Sequence, residues 1–557
     1  MSNKKSLKDR INDLKLTHAV NKGSGGSIFR RMFFMIRRYI GVFLGIIVAY
    51  FALLILLVEI EKRDPSSTIH SLGEAFWYSI VTLTTIGYGD YYPVTNAGRL
   101  IASIFVILGI GLLGFFVGFM MEFVSRIKPI IQLSIHTAKP WYIFTDQSQY
   151  SIIFADNIKS VRPDAVIIYS GTKDDGKIPK AISVQWSPSE LLERRGSLYD
   201  AHIMCLKDNE MENFLDAIQL SDTGAPVVCL ANFTPSHHPM NISFFSLTDC
   251  TARLFWQQYP IQKKDEVILF IGFGSAGTVL LDRALEFNLL YEGQHLRYHV
   301  FGNSDEYCRN RKRLSDIVSI NKISETGDSI LFHDSPWNTD ENLLAEADRI
   351  VLCDDSEQEN IAILQTLQKF FCFKGALYIY NSNVRSVATP FGQTRDVLTP
   401  AFVLHNTLTD MALCRHEMMR FYSGGQIPMW EDLNSQIKDM NYTTTDHISL
   451  KVHQLLGNDS PNLPFDDIPS AILRKASKVR SELPDDKKDA LNRLEHERIT
   501  RFYYLHNYHY AETTNDDTKE NSLLKPYDEL TETDKQMIEV SWLLLDELAS
   551  HKEAKGR

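Results

Sequence analysis

No two of the seven cysteines stand as CxxC. Cys205, Cys229, Cys250, Cys308, Cys353, Cys372 and Cys414 are scattered and odd in number, which excludes a disulfide framework or zinc ribbon and points to free thiols in a reducing compartment. A basic excess is also missing. The formal net charge of −11 argues against a nucleic-acid surface, because phosphate backbones demand a clear positive balance. No metal set is expected, since His237-His238 and His506 with His509 lack a matching third ligand. With 557 residues, of which 44% are hydrophobic and 23% charged, the chain exceeds one hydrophobic core. Three or more ordinary globular domains follow, with any membrane portion confined to one region.

That region is N-terminal. From Tyr39 to Val58 the chain reads YIGVFLGIIVAYFALLILLV, and from Leu100 to Met121 it reads LIASIFVILGIGLLGFFVGFMM, both without a charge. About 20 apolar residues suffice to cross the hydrocarbon layer as a helix, so two spans are expected at about 36–58 and 99–124. The first run is too long and too far from Met1 for a signal peptide. Neither run carries a regular ladder of Arg or Lys, so a voltage-sensor mechanism finds no support. Lys4, Lys5, Lys8, Arg10, Lys15, Lys22, Arg30, Arg31, Arg37 and Arg38 precede the first run, against Asp9 and Asp13. The positive-inside rule then puts both termini in the cytoplasm of a multi-pass plasma-membrane protein.

Between the runs lies GEAFWYSIVTLTTIGYGDYYP: an amphipathic half-helix from Glu74 to Thr84, then a segment too rich in glycine to continue it. Irregular backbone at membrane depth is tolerated only where protein buries it or where it lines a water-filled path. Thr85, Ile86, Gly87, Tyr88 and Gly89 resemble the selectivity filter of potassium channels, with Ile86 where valine is common. The resemblance implies four copies of the strand replacing the ion's hydration shell with carbonyls. It also implies that Tyr88 packs outward on Trp77 and Tyr78 and that Asp90 anchors the outer mouth. It continues through Tyr92, Pro93, Val94, Thr95, Gly98 and Arg99, and places a gating hinge at Gly109. Gly111, Gly114 and Gly118 each lower helix stability by about 1 kcal/mol relative to alanine, and read either as further softening of the second run or as close packing against the first.

After Pro129, short apolar runs alternate with helical patterns, the signature of a parallel sheet wrapped by helices, and the series occurs twice. The later copy opens DEVILFIGFGSAGTVLLDRALEF: a strand, Gly272, Gly274 and Gly277 as GxGxxG, then a helix starting near Ser275. Such a turn presents Ser275, Ala276 and the helix N-terminus to a diphosphate, and Asn303, Asp305 or Glu306 after the next strand could meet a ribose hydroxyl. Glycines that merely pack helix on strand are the competing reading. Residues 199–220 (YDAHIMCLKDNEMENFLDAIQL) and 346–367 (EADRIVLCDDSEQENIAILQTL) repeat one pattern, an acid, an apolar strand and an E-x-E-N helix start. The earlier copy has Thr145, Gln147 and Tyr150 where the later has its glycines, so it is not expected to bind a dinucleotide in the usual way. Asp354, Asp355 and Glu357 read as a solvated loop rather than a calcium site.

A two-span pore followed by tandem Rossmann modules resembles the RCK family of ligand-gated potassium channels, over roughly residues 30–400. The resemblance implies a homotetramer in a lipid bilayer, K+ as permeant ion, a ring of eight modules gated by NAD, ADP or ATP and sometimes by divalent cations, and no enzymatic activity. In the C-terminal third, Glu495, His496, Glu497, Arg498, Lys525, Pro526, Tyr527 and Asp528 resemble the small helical RyR domain, with Ile499 where tryptophan is typical. The aromatic group Phe502, Tyr503, Tyr504, Tyr508 and Tyr510 reads as core rather than as a purine-stacking surface. The expected fold is a membrane α-helical pore, tandem α/β Rossmann-like modules and a small α-helical C-terminal domain. Its parts are a basic arm 1–35, the pore 36–126, a linker 127–137, modules 138–262 and 263–385, a helical assembly lobe 386–466 and the RyR-like domain 467–557. A membrane-anchored NAD-dependent oxidoreductase and a poorly selective ligand-gated cation channel are the alternatives. The first lacks an acid, base or nucleophile set, and the second conflicts with the intact GYG.

Overall fold

The computed structural model describes residues 44–555 apart from 46, 172–180, 383, 385–386 and 405. The basic N-terminal arm and the start of the first apolar run lie outside the described residues. The chain divides into two compact units, one formed by Met1–Lys139 with 182–184 and 190–199, the other by the remainder.

In the first unit, residues 47–61 are helical and a short helix follows at Leu72–Leu83. It starts where it does because Ser71 and Glu74 form a reciprocal capping box. Ser71 Oγ accepts from Glu74 N at 3.3 Å, and Glu74 Oε2 accepts from Ser71 N at 2.8 Å. A 40-residue helix, Asn96–Ile135, is capped by Thr95, whose Oγ1 accepts from Gly98 N at 2.9 Å. It runs on through Pro129, so the stretch expected as a linker at 127–137 is largely helix. Leu54, Leu57, Ile69, Ala75, Ile101 and Phe105 form the core among these three helices. Among the described residues no helix is long and apolar enough to cross a membrane; Leu108, Gly109, Leu112, Leu113 and Phe115 of the long helix are outside the side-chain description.

The second unit contains two large parallel sheets and a small one that pairs His509–Tyr510 with Glu520–Asn521. In the first, β1 (Trp141–Phe144), β2 (Val166–Ser170), β3 (Ala201–Cys205), β4 (Val227–Leu230) and β5 (Ile242–Phe245) pair in the order β2-β1-β3-β4-β5. The second has β6 (Val267–Ile271), β7 (Arg297–Phe301), β8 (Ser319–Ile320), β9 (Ser329–His333), β10 (Arg349–Leu352), β11 (Ala376–Tyr380) and β12 (Thr389–Phe391), ordered β12-β11-β10-β6-β7-β9-β8. In both, the chain starts centrally, builds to one side and crosses to the other, which creates a crevice at the carboxyl ends of the central strands. Both faces are covered, so the strands are apolar without alternation. Ile268, Phe270, Val351 and Tyr378 enter one core of the second sheet, and Val267, Leu269, Ile271, Ile350, Leu352 and Ile379 the other.

Helices fill the rest of this unit: Asn406–Tyr422, Ser435–Asp446, Ile448–Leu456, Ser470–Glu482, Asp485–Leu505 and Glu532–Lys555. Leu408, Met411 and Ile448 share one core with Leu473, Trp542 and Leu545, so a single core spans both sides of the polar stretch near Asn458–Asp466. Phe502, Tyr503 and Tyr508 are buried in the neighbouring core with Tyr504 packed against it, while Tyr510 is exposed. A buried ion pair, Arg253 Nε to Asp446 Oδ2 at 2.7 Å, ties the helix Leu247–Gln258 to this helical region.

Candidate functional site

The loop after Leu72–Leu83 turns its amides back onto the helix it has just left. Thr85 N donates to Thr82 O at 3.1 Å, and Ile86 N and Gly87 N donate to Val81 O at 3.0 and 3.3 Å. Thr85, Gly87 and Gly89 have φ of 60°, 62° and 74°. An alternation of left- and right-handed residues brings successive carbonyls to one side of the strand, and only glycine takes the left-handed region without steric cost. Thr85 adopts it too, which the sequence did not suggest.

Trp77 and Asp90 brace this loop. The Trp77 ring stacks on Tyr88 with centroids 6.2 Å apart and an interplanar angle of 4°, while its Nε1 donates to Asp90 Oδ2 at 2.8 Å. Tyr78 instead packs against the core of Leu54, Leu57 and Phe105. Gly109 lies within the helix Asn96–Ile135, but its surroundings are outside the described residues.

Glu61, absent from the expected site, fixes the far end of the loop. Its fully buried carboxylate accepts from Ser67 Oγ (2.8 Å), Val94 N (3.0 Å), Thr95 N (3.1 Å) and Thr95 Oγ1 (2.6 Å). A Cβ at Gly98 would stand 1.9 Å from Glu61 Oε1. The available signal was an acid just beyond an apolar run, which reads equally well as its solvated end.

In the second sheet, the turn after β6 requires its first glycine. Gly272 has φ of 75°, and a Cβ there would lie 3.0 Å from the backbone nitrogen of Asp354. A Cβ at Gly277 would meet Cys353 Sγ at 2.9 Å and Phe273 Cδ2 at 3.0 Å, the tight helix-on-strand contact this position serves. The helix Ser275–Phe287 begins at Gly274 without a side-chain cap of its own. Its N-terminus is instead covered by Asp355, the second residue of the acidic loop after β10. Ser275 N donates to both carboxylate oxygens at 2.9 and 3.0 Å, and Ser275 Oγ to Oδ1 at 2.6 Å. A carboxylate is what unpaired amides and a positive helix end attract.

In the acidic loop Asp355 and Glu357 are exposed, as expected of a solvated loop, but the loop is not free of contacts. Asp355 bridges to the glycine turn, and Asp354 Oδ1 accepts from Ser356 N at 2.8 Å. Asn303 and Asp305 are exposed after β7, where Asn303 Oδ1 accepts from Asp305 N at 3.2 Å at the start of a short helix. Within the adjoining strands β7 and β9, His299 Nδ1 and His333 Nε2 are 2.9 Å apart. Burial, reinforced by His333, lowers His299 to about 4, so this pair brings no positive charge to the crevice at neutral pH. Burial pushes the Cys353 thiol up, which leaves it packing rather than reactive.

In the earlier copy the matching helix, Gln149–Val161, is capped locally. Ser148 Oγ accepts from Ser151 N at 3.2 Å, and Asp146 accepts from Ser148 N at 3.0 Å and Ser151 Oγ at 2.7 Å.

Residues 40–126 match a family model described as an ion channel. The human delayed-rectifier potassium channel regulatory subunit KCNS3 is 38% identical over 93 residues, which are 17% of this chain and 18% of the relative. The human potassium voltage-gated channel subfamily A member 6 is 40% identical over 72 residues, 13% of this chain and 12% of the relative. The chain thus spans less than a fifth of the length of these curated relatives. Among solved structures, GsuK bound to ADP superposes with a TM-score of 0.34 at 14% identity, over 67% of this chain and 99% of that one. The GsuK channel bound to NAD gives 0.34 at 13% identity, over 67% and 86%. Residues 40–126, which hold the capped short helix, the GYG loop and its Trp77, Asp90 and Glu61 braces, thus match an ion-channel family model and are similar in sequence to potassium channel subunits.

Proposed function

We propose that this chain is one subunit of a homotetrameric potassium-selective channel of the plasma membrane, gated by a nucleotide bound to its cytoplasmic Rossmann-like part. The observation that carries the reading is the loop Thr85–Gly89, whose left-handed φ values fall at every second residue and whose first amides return to the short helix. Among the described residues no backbone amide donates to the carbonyls of Thr85–Gly89, and free carbonyls in a row are what a dehydrated K+ needs from four such strands around an axis. Trp77 and Asp90 hold the loop from behind, Tyr78 steadies the short helix, and Gly109 is the hinge of the inner helix.

Leu100, Ile107, Ile110 and Met121 are 66–70% exposed on the long helix of a single subunit. An apolar face of that extent calls for lipid or neighbouring subunits, and supports two membrane spans at about 36–58 and 99–124. The nucleotide, NAD or an adenine nucleotide, sits at Gly272, Gly274, Ser275, Ala276 and Gly277, with Asn303 and Asp305 near its ribose. It binds at the crevice where β6, β7 and β10 adjoin. An oxidoreductase is not favoured, because neither channel homology nor any acid–base set beside the turn supports one.

Reconstitution in planar bilayers under asymmetric potassium and sodium tests both halves. Potassium-selective current altered by NAD, ADP or ATP on the cytoplasmic side is expected, and Gly87→Val should abolish it while the tetramer still assembles. Selective current in the Gly87→Val protein would remove the filter assignment. Wild-type current indifferent to all three nucleotides would reduce the glycine turn to packing.

A further inference from the structure

Four helices of the C-terminal region enclose more positive than negative charge. Arg415, Lys451 and Arg498 are at most 1% exposed, and the carboxylate that faces them is that of Glu495. Lys451 Nζ lies 3.1 Å from Glu495 Oε2, and Arg498 Nη2 lies 3.0 Å from Glu495 Oε1, so one carboxylate is shared by two cations. Among the described residues Arg415 has no such partner: its Nη1 donates to the neutral Asn441 Oδ1 at 2.6 Å, and its Nε has no acceptor there. Arg498 spends Nη2 on Thr444 Oγ1 at 2.6 Å and leaves Nη1 unpaired.

Asn441 and Thr444 are one turn apart on the helix Ser435–Asp446, so the two guanidinium groups attach to adjacent turns of one element. The remaining neighbours do not restore the balance. His447 donates Nε2 to Phe287 O at 3.0 Å, and burial lowers it to about 3, so it is neutral. Tyr503 is kept protonated, pushed up by burial to about 12. Asp446 is already engaged by Arg253 at 2.7 Å. Burial draws Lys451 down to about 8 and Arg415 to about 10, yet both stay charged at neutral pH. Buried charges are ordinarily paired, because an unpaired one loses its hydration for no return.

We propose that a small inorganic anion with the charge and size of chloride is held between Arg415 and Arg498, accepting from Arg415 Nε and Arg498 Nη1. The class of ligand follows from burial. Arg415, Lys451, Arg498, His447, Glu495 and Tyr503 are all 4% exposed or less, so the site gives no exit to the tail of a nucleotide or carboxylate metabolite. A dehydrated halide fits where an organic anion does not. Arg415 and Arg498 lie on opposite sides of the Asn458–Asp466 stretch, so the ion clamps the helices before it to those after it.

The test is thermal unfolding of the purified full-length protein at constant ionic strength, with potassium gluconate replaced stepwise by potassium chloride. A saturable rise in Tm on the order of 2–4 °C is expected, reproduced by bromide and absent in Arg415→Met, whose side chain keeps the volume without the charge. An unchanged wild-type Tm, an undiminished chloride response in Arg415→Met, or a response to phosphate but not to chloride would each overturn the assignment. Should Arg415→Met fail to fold, crystals of the wild-type protein grown in bromide decide: an anomalous peak between the two guanidinium groups supports the site, and a blank map removes it.

Discussion

The two Rossmann-like copies share a skeleton and differ at the turn that would meet a ligand. Asn213 in the first and Asn360 in the second are both fully buried and make the same contacts. Asn213 accepts from Lys207 N at 2.7 Å and donates to Lys207 O and Leu230 O at 2.9 and 3.0 Å. Asn360 accepts from Asp354 N at 2.9 Å and donates to Asp354 O and Tyr380 O at 2.8 and 3.4 Å. Each stitches the end of one strand to the next through a helix start. The turn after the first strand is different: a local Ser148–Asp146 cap in one copy, and a bare glycine turn covered by Asp355 from another loop in the other. What holds the fold is present in duplicate, and the turn after the first strand is what differs.

The strongest test of shared scaffolding removes the asparagines. Either Asn213→Ala or Asn360→Ala strands buried backbone groups on two strand ends, at a cost of about 2–4 kcal/mol. Both variants should lower the melting temperature of the purified protein by similar amounts and should leave ion selectivity intact in whatever protein folds. If one substitution is silent, the two copies do not share the scaffold their sequences repeat.

A smaller effect should separate the copies. Gly272→Ala forces a left-handed residue with its Cβ 3.0 Å from Asp354 N, and a cost of about 1–3 kcal/mol is expected from the strained backbone and crowding together. Nucleotide binding should fall with it. At Thr145, the corresponding position of the first copy, substitution by alanine removes a methyl and a hydroxyl that donates to Met204 O at 3.3 Å without forcing the backbone, and should cost about 1 kcal/mol or less. Calorimetric melting of both variants, compared with ADP titration, checks the pair; equal destabilisation would mean that the glycine turn is not special.

Much of this was legible in the sequence because it rests on local rules. The GYG loop, the short helix before it and the glycine turn each carry residues that no other backbone conformation demands, so Gly87, Gly89 and Gly272 announce themselves. The duplicated E-x-E-N segments were legible as a repeat, but their asparagines were not legible as stitches, since Leu230 and Tyr380 come into reach only once the sheets form. Glu61 and Asp355 were missed for the same reason. A carboxylate at the end of an apolar run or in an acidic loop looks solvated until the folded chain brings Thr95 or Ser275 against it. The helix through Pro129 was missed because proline is read as a stop, whereas a 40-residue helix carries one on packing and length.

The smallest expected effect sharpens the comparison most. Asp355 sits where a diphosphate would bring its own charge, against Ser275 N and Oγ, so a nucleotide reaching that helix end must displace the carboxylate. Its interaction with the helix end amounts to roughly 0.5–2 kcal/mol, and Asp355→Ala should therefore tighten ADP binding by about two- to thirtyfold, read by isothermal titration on the solubilised protein. Asp208 is the counterpart of Asp355 in the first copy, whose helix is already capped by Ser148, so Asp208→Ala should leave the titration unchanged. Weaker binding in Asp355→Ala would show instead that the carboxylate is part of the ligand's own site, holding the glycine turn open for it.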